Sequence, residues 1–373
     1  MNRRQNSDFG IEGVSSLDSS VRSNKKKNKA LKVFAVISIV LISILLVIAV
    51  VLGILLFRGR SAAIAENSEA VRNIQIPGKV KVDSDSDVAY IYYDGKKYKY
   101  NDKVTTVLFA GIDKRNYEHI EGVFGTAGQA DCLFVMALNT ENGKYKLMAV
   151  SRDTMVDVDV FDSDGNFQGT EEKQLCLAYA YGDGKEGSCE NLKRSVSRVF
   201  FGIPVNSYVS VDLDVISILN DEVGGVNVDV IEDLSNRDPA LIKGTNVTLS
   251  GEQAEIFVRA RDIMGDENQN NLRMERQKVF LTSFIKKTLQ LTKEDLSTPL
   301  NLYSSITDYM VTDIDASMIT YYTSIFLRSG FSPEDDLIKV PGTTVGGEKY
   351  AEYYTDTEKF FSIILDTYYT EVK

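Results

Sequence analysis

The sequence predicts an α/β fold in which a β-sheet is flanked by helices, preceded by one transmembrane helix. An uncharged apolar run of 25 residues covers positions 33–57. From residue 104 onward, short apolar runs of strand length alternate with stretches of helical period, which is typical of an α/β domain. The hydrophobic fraction of 43% and the charged fraction of 25% are close to globular averages, so most of the 373 residues are expected to fold in water.

The apolar run VFAVISIVLISILLVIAVVLGILLF (33–57) is long enough to cross a membrane. At about 1.5 Å per helical residue, it exceeds the roughly 30 Å of a hydrocarbon core. A cleaved signal peptide has a shorter apolar stretch. The small residues at 61–65 nevertheless keep cleavage as the alternative.

Basic residues around this run predict its orientation. Six Lys and Arg residues lie within 22–32, and only Arg58, Arg60 and Arg72 follow the run closely. The N-terminus is therefore expected in the cytoplasm and the rest of the chain outside it. The predicted organisation is a cytoplasmic basic tail (1–32), the transmembrane helix (33–57), an extracytoplasmic linker or stalk with a hairpin at 94–95 (58–103), and one extracytoplasmic domain (104–373).

Charge and rare residues exclude several classes of function. Residues 61–373 have a net charge of −18, whereas a nucleic-acid binder needs a basic surface on its folded part, so no nucleic acid is expected as a partner. The one histidine, His119, and three cysteines exclude His-based triads and zinc sites of two Cys and two His. Cys176 and Cys189 either form a disulfide or stay apart, and Cys132 lies in an apolar strand pattern that predicts burial.

Period and flanking residues predict the order of elements in the domain. Strands are predicted at 104–110, 131–139, 145–150, 207–212, 225–230, 336–340 and 348–353. Helices are predicted at 172–182, 188–201, 213–223, 251–261, 273–291, 315–328 and 359–369. Ser250 with Gln253, and Thr355 with Glu358, have the spacing of a capping box and predict two helix starts.

Carboxylates lie at the ends of two apolar strands. Asp113 follows the first strand within the segment GIDKR, and Asp131 opens the second. Carboxylate oxygens at neighbouring strand ends suit a hard cation such as Mg²⁺, and the alternative is that they are turn-forming residues. Arg152 and Asp153 lie at a further strand end, where such a pair is usually a structural ion pair.

Arginines concentrate around the two helices that follow residue 250. Arg259 and Arg261 end one helix, and Arg273, Arg276 and Gln277 share one face at the start of the next. Cations are disfavoured at a helix N-terminus, so this arrangement indicates a bound phosphate or diphosphate. The alternative is that neighbouring Asp and Glu residues pair with the arginines. With cation ligands and an outer-leaflet location, the pattern points to phosphate chemistry on a membrane-borne substrate.

These segments resemble the LytR-CpsA-Psr (LCP) family of cell-envelope phosphotransferases, in the same order from about residue 104 to 291 and more weakly beyond. The matching segments are VLFAGIDKR, QADCLFVMALN, LMAVSRDTMVDV, LAYAYG, FGIPVNSYVSVDLD, DEVGGVNVDV, LSGEQAEIFVRARD and LRMERQKVFL. The resemblance implies a central mixed β-sheet with a lipid groove between sheet and helices. It also implies an enzyme that transfers a glycopolymer, teichoic acid-like or capsular, from a polyprenyl diphosphate carrier to peptidoglycan.

The resemblance also implies roles for single residues. It implies that Mg²⁺ is held by Asp131 and Asp113. The catalytic residues that it implies are Asp131, Arg152, Asp153 and Asp113. The diphosphate-binding residues that it implies are Arg259, Arg261, Arg273, Arg276 and Gln277, with Arg276 either contacting the anion or supporting its neighbours.

Two positions depart from the family pattern. Gln129 opens a segment that usually reads Arg-Ser-Asp-Thr, and Asn270 stands where the family usually has Asp. One charge-assisted contact contributes about 1.5 to 3 kcal/mol. The alternative function is therefore a catalytically weakened relative that binds polyprenyl diphosphate or acts as a scaffold.

Overall fold

The computed structural model describes residues 53–61, 81–83, 90–115, 127–260, 269–329, 332, 336–346 and 350–372. The predicted cytoplasmic tail and most of the predicted transmembrane helix, through residue 52, lie outside these ranges. Residues 53–61 are helical. Among the described residues, none of the helices combines the length and the hydropathy needed to span a membrane. The chain divides into two compact units, 1–55 and 56–373.

The second unit alternates strands and helices along the described chain. The strands are β1 (Lys81–Asp83), β2 (Tyr90–Tyr93), β3 (Lys96–Tyr100), β4 (Val104–Ile112), β5 (Ala130–Asn139), β6 (Tyr145–Val150), β7 (Met155–Phe161), β8 (Phe167–Gln174), β9 (Ser207–Val211), β10 (Asn227–Asp229), β11 (Asn246–Thr248), β12 (Met310–Thr312), β13 (Leu337–Lys339), β14 (Gly342–Gly346), β15 (Ala351–Thr355) and β16 (Tyr369–Val372). The helices are α1 (Leu177–Ala180), α2 (Glu186–Val199), α3 (Asp214–Glu222), α4 (Gly251–Arg259), α5 (Gln269–Glu294), α6 (Thr298–Ser305), α7 (Ala316–Phe326) and α8 (Thr357–Tyr368).

A six-stranded sheet in the order β12-β9-β4-β5-β6-β13 forms the centre. Strand β4 pairs antiparallel with β5 and parallel with β9, and β6 pairs parallel with β13. The sheet is therefore mixed, and the prediction of a central mixed sheet flanked by helices is confirmed. Five of the seven predicted strands coincide with strands of this sheet.

Alternate residues of β4 face two different cores, because successive side chains of a strand point to opposite faces. Leu108 and Ile112 belong to a core that includes Leu192 of α2 and Phe360 of α8. Val107 belongs to a second core with residues of α7. Helices α2 and α8 thus cover one face of the sheet, and α7 and part of α5 cover the other.

A smaller sheet, in the order β1-β2-β3-β16, includes residues that the sequence assigns to the stalk. Its β2–β3 turn confirms the hairpin predicted at 94–95: Asp94 and Gly95 have φ values of 49° and 74°, which a two-residue hairpin turn requires. Strand β3 pairs with the distant strand β16, with Tyr100 opposite Tyr369. Residues 90–100 are therefore an integral part of the second unit's packing.

One predicted helix is mostly wrong, and one hairpin is not predicted. The stretch 172–182 is predicted as one helix, but strand β8 continues to Gln174 and only Leu177–Ala180 are helical. Strands β7 and β8 form a hairpin that the sequence analysis does not predict. The reason is that β8, FQGTEEKQ, is mostly exposed and lacks the apolar alternation by which strands are recognised.

The strand predicted at 225–230 is present only as Asn227–Asp229, and it pairs with β11 outside the central sheet. The capping box of Ser250 and Gln253 is present as predicted. The final helix instead begins after Asp356, whose carboxylate accepts a hydrogen bond from the Lys359 amide, so the predicted cap at Thr355 is one residue early.

Candidate active site

A cavity of about 1190 Å³ lies between one face of the central sheet and helices α3 to α7. Its lining is mainly aliphatic and aromatic, for example Val107, Phe134, Leu281, Phe284 and Ile314. The cavity lies between the sheet and the helices, where the family resemblance implies a lipid groove. The polar residues of the lining include five of the predicted site residues: Asp113, Asp131, Arg259, Arg273 and Gln277.

Arg152 is the centre of a hydrogen-bonded cluster beside this cavity. Its Nη1 donates to Asp131 Oδ1 and its Nη2 to Gln129 Oε1. Nη2 also lies 3.3 Å from Cys176 Sγ, and Nε lies 3.4 Å from Asp153 Oδ1. The side chain is 15% exposed, so four neighbours fix the guanidinium in one orientation.

Asp131 joins two arginines from different parts of the chain. Its Oδ1 accepts from Arg152, and its Oδ2 lies 3.2 Å from Nη1 of Arg273, which is 4% exposed. Arg273 comes from the first turns of α5 and Arg152 from the end of β6. Ion pairs with this degree of burial are screened less than surface pairs. The carboxylate therefore holds two cationic groups close together at the cavity wall.

An irregularity in strand pairing positions Asp131. The register between β4 and β5 shifts at Gly111/Ile112, so that Ile112 pairs with Ala130 while Gly111 pairs with Cys132. Asp131 is the extra residue of this bulge, and bulges reorient side chains in this way.

A short loop fixes Asp113 beside the bulge. The Gln129 amide donates to Asp113 Oδ1 at 2.6 Å, and the Asp113 amide donates to the Gln129 carbonyl at 3.0 Å. The preceding Gly128 has φ +91°, and a Cβ there would lie 3.1 Å from Asp113 Oδ1. The loop therefore requires glycine at this position.

Asp153 lies behind Arg152 and does not line the cavity. It is 8% exposed, and its Oδ1 accepts a 3.0 Å hydrogen bond from Gln174 Nε2. The same amide nitrogen donates to the Ala351 carbonyl at 2.8 Å. The structure thus places Asp153 as a brace for Arg152.

A second group of charged residues at the cavity is centred on Glu255. Its carboxylate accepts hydrogen bonds from Arg259 and from Arg115, and Arg115 also donates to Asp214. Burial alone would raise the pKa of the Glu255 carboxyl, but the two arginines outweigh it and hold the pKa below its usual range. Arg259 is therefore held at the cavity wall by a carboxylate that the sequence analysis does not identify.

Arg276 points away from the cavity and has a structural position. Its side chain is 1% exposed, and it donates to the carbonyls of Phe257 and Ala260 and to Glu232. Burial lowers the pKa of its guanidinium to about 10. Of the two roles expected for Arg276, these contacts favour support of its neighbours. Arg261 and the side chain of Asn270 lie outside the described residues.

The donors around Asp131 fit a magnesium ion that shares its coordination with a phosphate. Within the ranges that the structure describes, no group of three or more His, Cys, Asp or Glu residues has the geometry of a metal site. Magnesium is, however, commonly bound by one or two carboxylates together with substrate phosphate oxygens. Asp131 and Asp113 supply carboxylates of this kind.

All three cysteines carry free thiols, so Cys176 and Cys189 do not form the disulfide that the sequence leaves open. Burial raises the pKa of the Cys176 thiol to about 11 and that of Cys132 to about 12. Both thiols are therefore protonated at neutral pH. Cys132 lines the cavity as an apolar residue, and Cys176 contributes a weak acceptor to Arg152.

Sequence reasoning missed three polar residues of the site: Gln174, Cys176 and Glu255. Each acts by contacting a predicted arginine or its carboxylate partner. Gln174 ends an exposed hairpin, and the nearest oppositely charged residue to Glu255 in the sequence is the predicted Arg259, four positions later. That i, i+4 spacing was the available indication for Glu255.

The chain is similar to a family of known sequences and structures. The LytR_cpsA_psr family model matches residues 60–362. The polyisoprenyl-teichoic acid–peptidoglycan teichoic acid transferase TagV of Bacillus subtilis (strain 168) is 30% identical over 193 residues, which cover 50% of this chain and 44% of the relative. The corresponding enzyme TagU of Halalkalibacterium halodurans is 28% identical over 187 residues, covering 50% and 53%. The chain thus spans about half the length of these curated relatives.

Solved structures share the fold. The crystal structure of B. subtilis TagV has a TM-score of 0.54 at 24% identity, covering 71% of this chain and 97% of that one. The structure described as TagT bound to LI-WTA has a TM-score of 0.52 at 18% identity, covering 71% and 89%. At these identities the likeness establishes the common α/β architecture.

Proposed function

Because the chain belongs to the LytR-CpsA-Psr family, we propose that it is a membrane-anchored phosphotransferase that attaches a glycopolymer to peptidoglycan. The proposed donor is a teichoic acid-like or capsular polymer on a polyprenyl diphosphate carrier. The proposed location is the cell membrane, with the N-terminus in the cytoplasm and the domain outside it. This location rests on the apolar run at 33–57 and the basic residues before it.

The observation that carries the proposal is the combination of an apolar cavity with guanidinium groups at its wall. A cavity of about 1190 Å³ with an apolar lining suits a polyprenyl chain. Arg273 and Arg259 line the same cavity, and Arg152 reaches it through Asp131. Guanidinium forks bind phosphate oxygens well. A lipid tail and its diphosphate can therefore be held in one site.

The proposed reaction is a phosphoryl transfer. A peptidoglycan hydroxyl attacks the phosphorus next to the glycopolymer, a new P–O bond forms, and the bond to the carrier phosphate breaks. The products are the polymer joined to peptidoglycan through a phosphodiester, and polyprenyl phosphate. The arginines stabilise the negative charge that develops on the leaving phosphate. When bound, Mg²⁺ would add positive charge at the phosphate oxygens, with Asp131 as its carboxylate ligand.

The hydroxyl proton has to pass to a carboxylate. Asp113 is exposed and lines the cavity, whereas Asp153 is buried and bonded to Gln174. A base must come within hydrogen-bond reach of the proton that it accepts. We therefore assign this step to Asp113.

The test measures release of polyprenyl phosphate by the full chain in detergent, from a synthetic polyprenyl diphosphate-linked saccharide with peptidoglycan fragments and with or without Mg²⁺. Arg152→Ala is expected to lower kcat by about 10²- to 10³-fold, the usual loss for one group that stabilises transition-state charge. Asp131→Asn is expected to lose the dependence on Mg²⁺ together with activity. Arg328→Ala, which removes an exposed arginine outside the site, is the matched control. Full activity in both site variants would refute the assignment.

A second candidate function is carrier binding without transfer. Gln129 places a neutral amide where the family usually has an arginine. The Oε1 atom of this amide accepts a hydrogen bond from Nη2 of Arg152. If this candidate is correct, the natural chain binds the lipid-linked saccharide without releasing polyprenyl phosphate. Gln129→Arg would then create measurable turnover, whereas turnover in the natural chain would exclude it.

A further inference from the structure

The outer face of the small sheet carries a pattern that the proposed reaction does not use. Ile91, Tyr100 and Tyr369 of this sheet are at most 7% exposed and pack into the core. Because successive side chains of a strand point to opposite faces, the residues next to these in each strand point outward. The outward residues of the central hairpin are two tyrosines and two lysines: Tyr90, Tyr92, Lys97 and Lys99, which form the tyrosine–lysine face.

Strand register brings these four side chains together. Tyr92 lies opposite Lys97, and Tyr90 lies opposite Lys99. The Lys97 ammonium lies 3.9 Å from the centroid of the Tyr90 ring and 5.6 Å from that of Tyr92. Cation–π contacts of this kind restrict a flexible lysine before any ligand arrives. The Tyr92 side chain stays 38% exposed.

The face is positive on a domain that is strongly acidic. Residues 61–373 have a net charge of −18, whereas residues 90–103 contain four lysines and two aspartates. Lys96, whose side chain lies on the opposite face of the hairpin, pairs with Glu371 at 2.9 Å, and Lys103 pairs with Asp102. In the part of the chain that the structure describes, neither Lys97 nor Lys99 forms an ion pair. Both cations are therefore available to an anion from outside.

The face lies on the other side of the central sheet from the cavity. Ile91 of the small sheet shares a core with Leu108 and Ile112 of β4. Val107 and Phe109, which point the opposite way from β4, line the cavity. A ligand on the tyrosine–lysine face therefore does not occupy the proposed active site.

We propose that the tyrosine–lysine face binds a phosphate-bearing glycan chain, at a point on the polymer distant from its reacting end. Lysine ammonium groups attract phosphate, and an exposed tyrosine offers an apolar ring surface with a polar edge on which a sugar can pack. The positive charge of the face is complementary to the negative charge of such a polymer. The choice of polymer rests on the proposed function, while the face itself does not.

The test measures the Kd of the full chain in neutral detergent for poly(glycerol phosphate), with neutral dextran as the phosphate-free probe. Lys97→Ala/Lys99→Ala is expected to weaken binding about tenfold, because it removes both lysine charges of the face. Tyr92→Ala is expected to weaken binding as well. Lys96→Ala is the matched control, because it removes the same charge from the same strand but on the opposite face, and it should change Kd less than about twofold.

Three results would overturn the proposal: unchanged Kd in the double variant, an equal loss in Lys96→Ala, or equal affinity for dextran. Binding that moves to phosphatidylglycerol vesicles, with no affinity for the polymer, would also overturn it and assign the face to a membrane surface. Transfer from a short lipid-linked saccharide should stay unchanged in all these variants, and Arg152→Ala should keep polymer affinity. Failure of this proposal is thus separate from failure of the proposed function.

Discussion

Gln174 affects the proposed site without reaching the cavity. Its amide bridges Asp153 and the Ala351 carbonyl, and Asp153 in turn contacts Arg152. When a buried carboxylate loses a hydrogen-bond donor, the free energy of unfolding falls by about 1 to 3 kcal/mol. The orientation of Arg152 therefore depends on a residue that is two contacts away from it.

Gln174→Leu is expected to lower kcat of transfer about tenfold with little change in KM, because Arg152 is positioned less well in the transition state. The matched control is Gln168→Leu, an exposed glutamine on the same strand. Steady-state kinetics and thermal melting of both variants provide the measurement. Equal kcat in the two variants, or a loss that follows melting temperature alone, would show that Gln174 has only a structural role.

Single residues also show how far the sequence predicts the site. Asp131, Arg152 and Arg273 are identified from motif and charge, and the structure brings the three together. Arg276 is predicted on the same helix face as Arg273. Side chains at i and i+3 nevertheless point in different directions around the helix axis, so the two arginines reach different surroundings. The pairing of Glu255 with Arg115 becomes visible only in the fold, because Arg115 is 140 residues away in the sequence.

At the scale of elements, helix starts are predicted where a local hydrogen bond decides them. The Ser250 cap is correct because Gln253 completes a reciprocal pair of bonds. At the last helix, Thr355 is still paired with Gly342 in the β14–β15 hairpin, so Asp356 becomes the cap. Tertiary pairing, which local spacing does not encode, moved the boundary by one residue.

Asp356→Ala is expected to lower the free energy of unfolding by about 1 kcal/mol, the usual contribution of an N-cap. Thr355→Ala, the neighbouring control, should cost less than half of that because its side chain does not cap the helix. Urea titration followed by circular dichroism measures both. If Thr355→Ala lowered the free energy of unfolding more than Asp356→Ala, Thr355 would be the cap of the last helix.

At the scale of the whole molecule, ion pairs around one buried carboxylate join the β7–β8 hairpin to α2. Asp159 is 7% exposed and accepts hydrogen bonds from Arg194 Nε at 2.8 Å and Arg198 Nη2 at 2.7 Å. Burial alone would raise the pKa of this carboxyl, but the bonds from Arg198 and Arg194 outweigh it and hold the pKa below its usual range. The β7–β8 hairpin and α2 are thus joined through the Asp159 carboxylate, whose charge depends on pH.

Because the folded-state pKa of Asp159 is depressed, its contribution to stability is present above the unfolded pKa of about 3.9 and is lost as the pH falls through the folded value. Asp159→Asn is expected to lower the free energy of unfolding at pH 7 by about 2 kcal/mol, a moderate figure because both arginines are partly exposed. It should also flatten the decline of stability below pH 4. Denaturant titrations between pH 7 and pH 2.5 compare the two proteins, and parallel pH profiles would contradict the assignment.

The fold class is predicted well because the central strands are apolar runs, which the periodicity of the sequence shows directly. The β7–β8 hairpin is missed because β8 is exposed, and the small sheet is missed because two of its four strands are separated by most of the chain. The site is predicted in most of its charged residues, whereas the neutral Gln174 and Cys176 and the carboxylate of Glu255 are missed. Charge is visible in a sequence, whereas the direction of an amide depends on neighbours that only the fold supplies.

The pairing of β3 with β16 cannot form until the end of the described chain has been synthesised. The Lys96–Glu371 pair spans 275 positions, so a ribosome adding about 5 to 20 residues per second needs many seconds to deliver the second strand after the first. During that interval the β2–β3 hairpin exposes one unpaired edge and the inner side of its tyrosines. This edge can therefore be covered by its own partner only after strand β16 has left the ribosome.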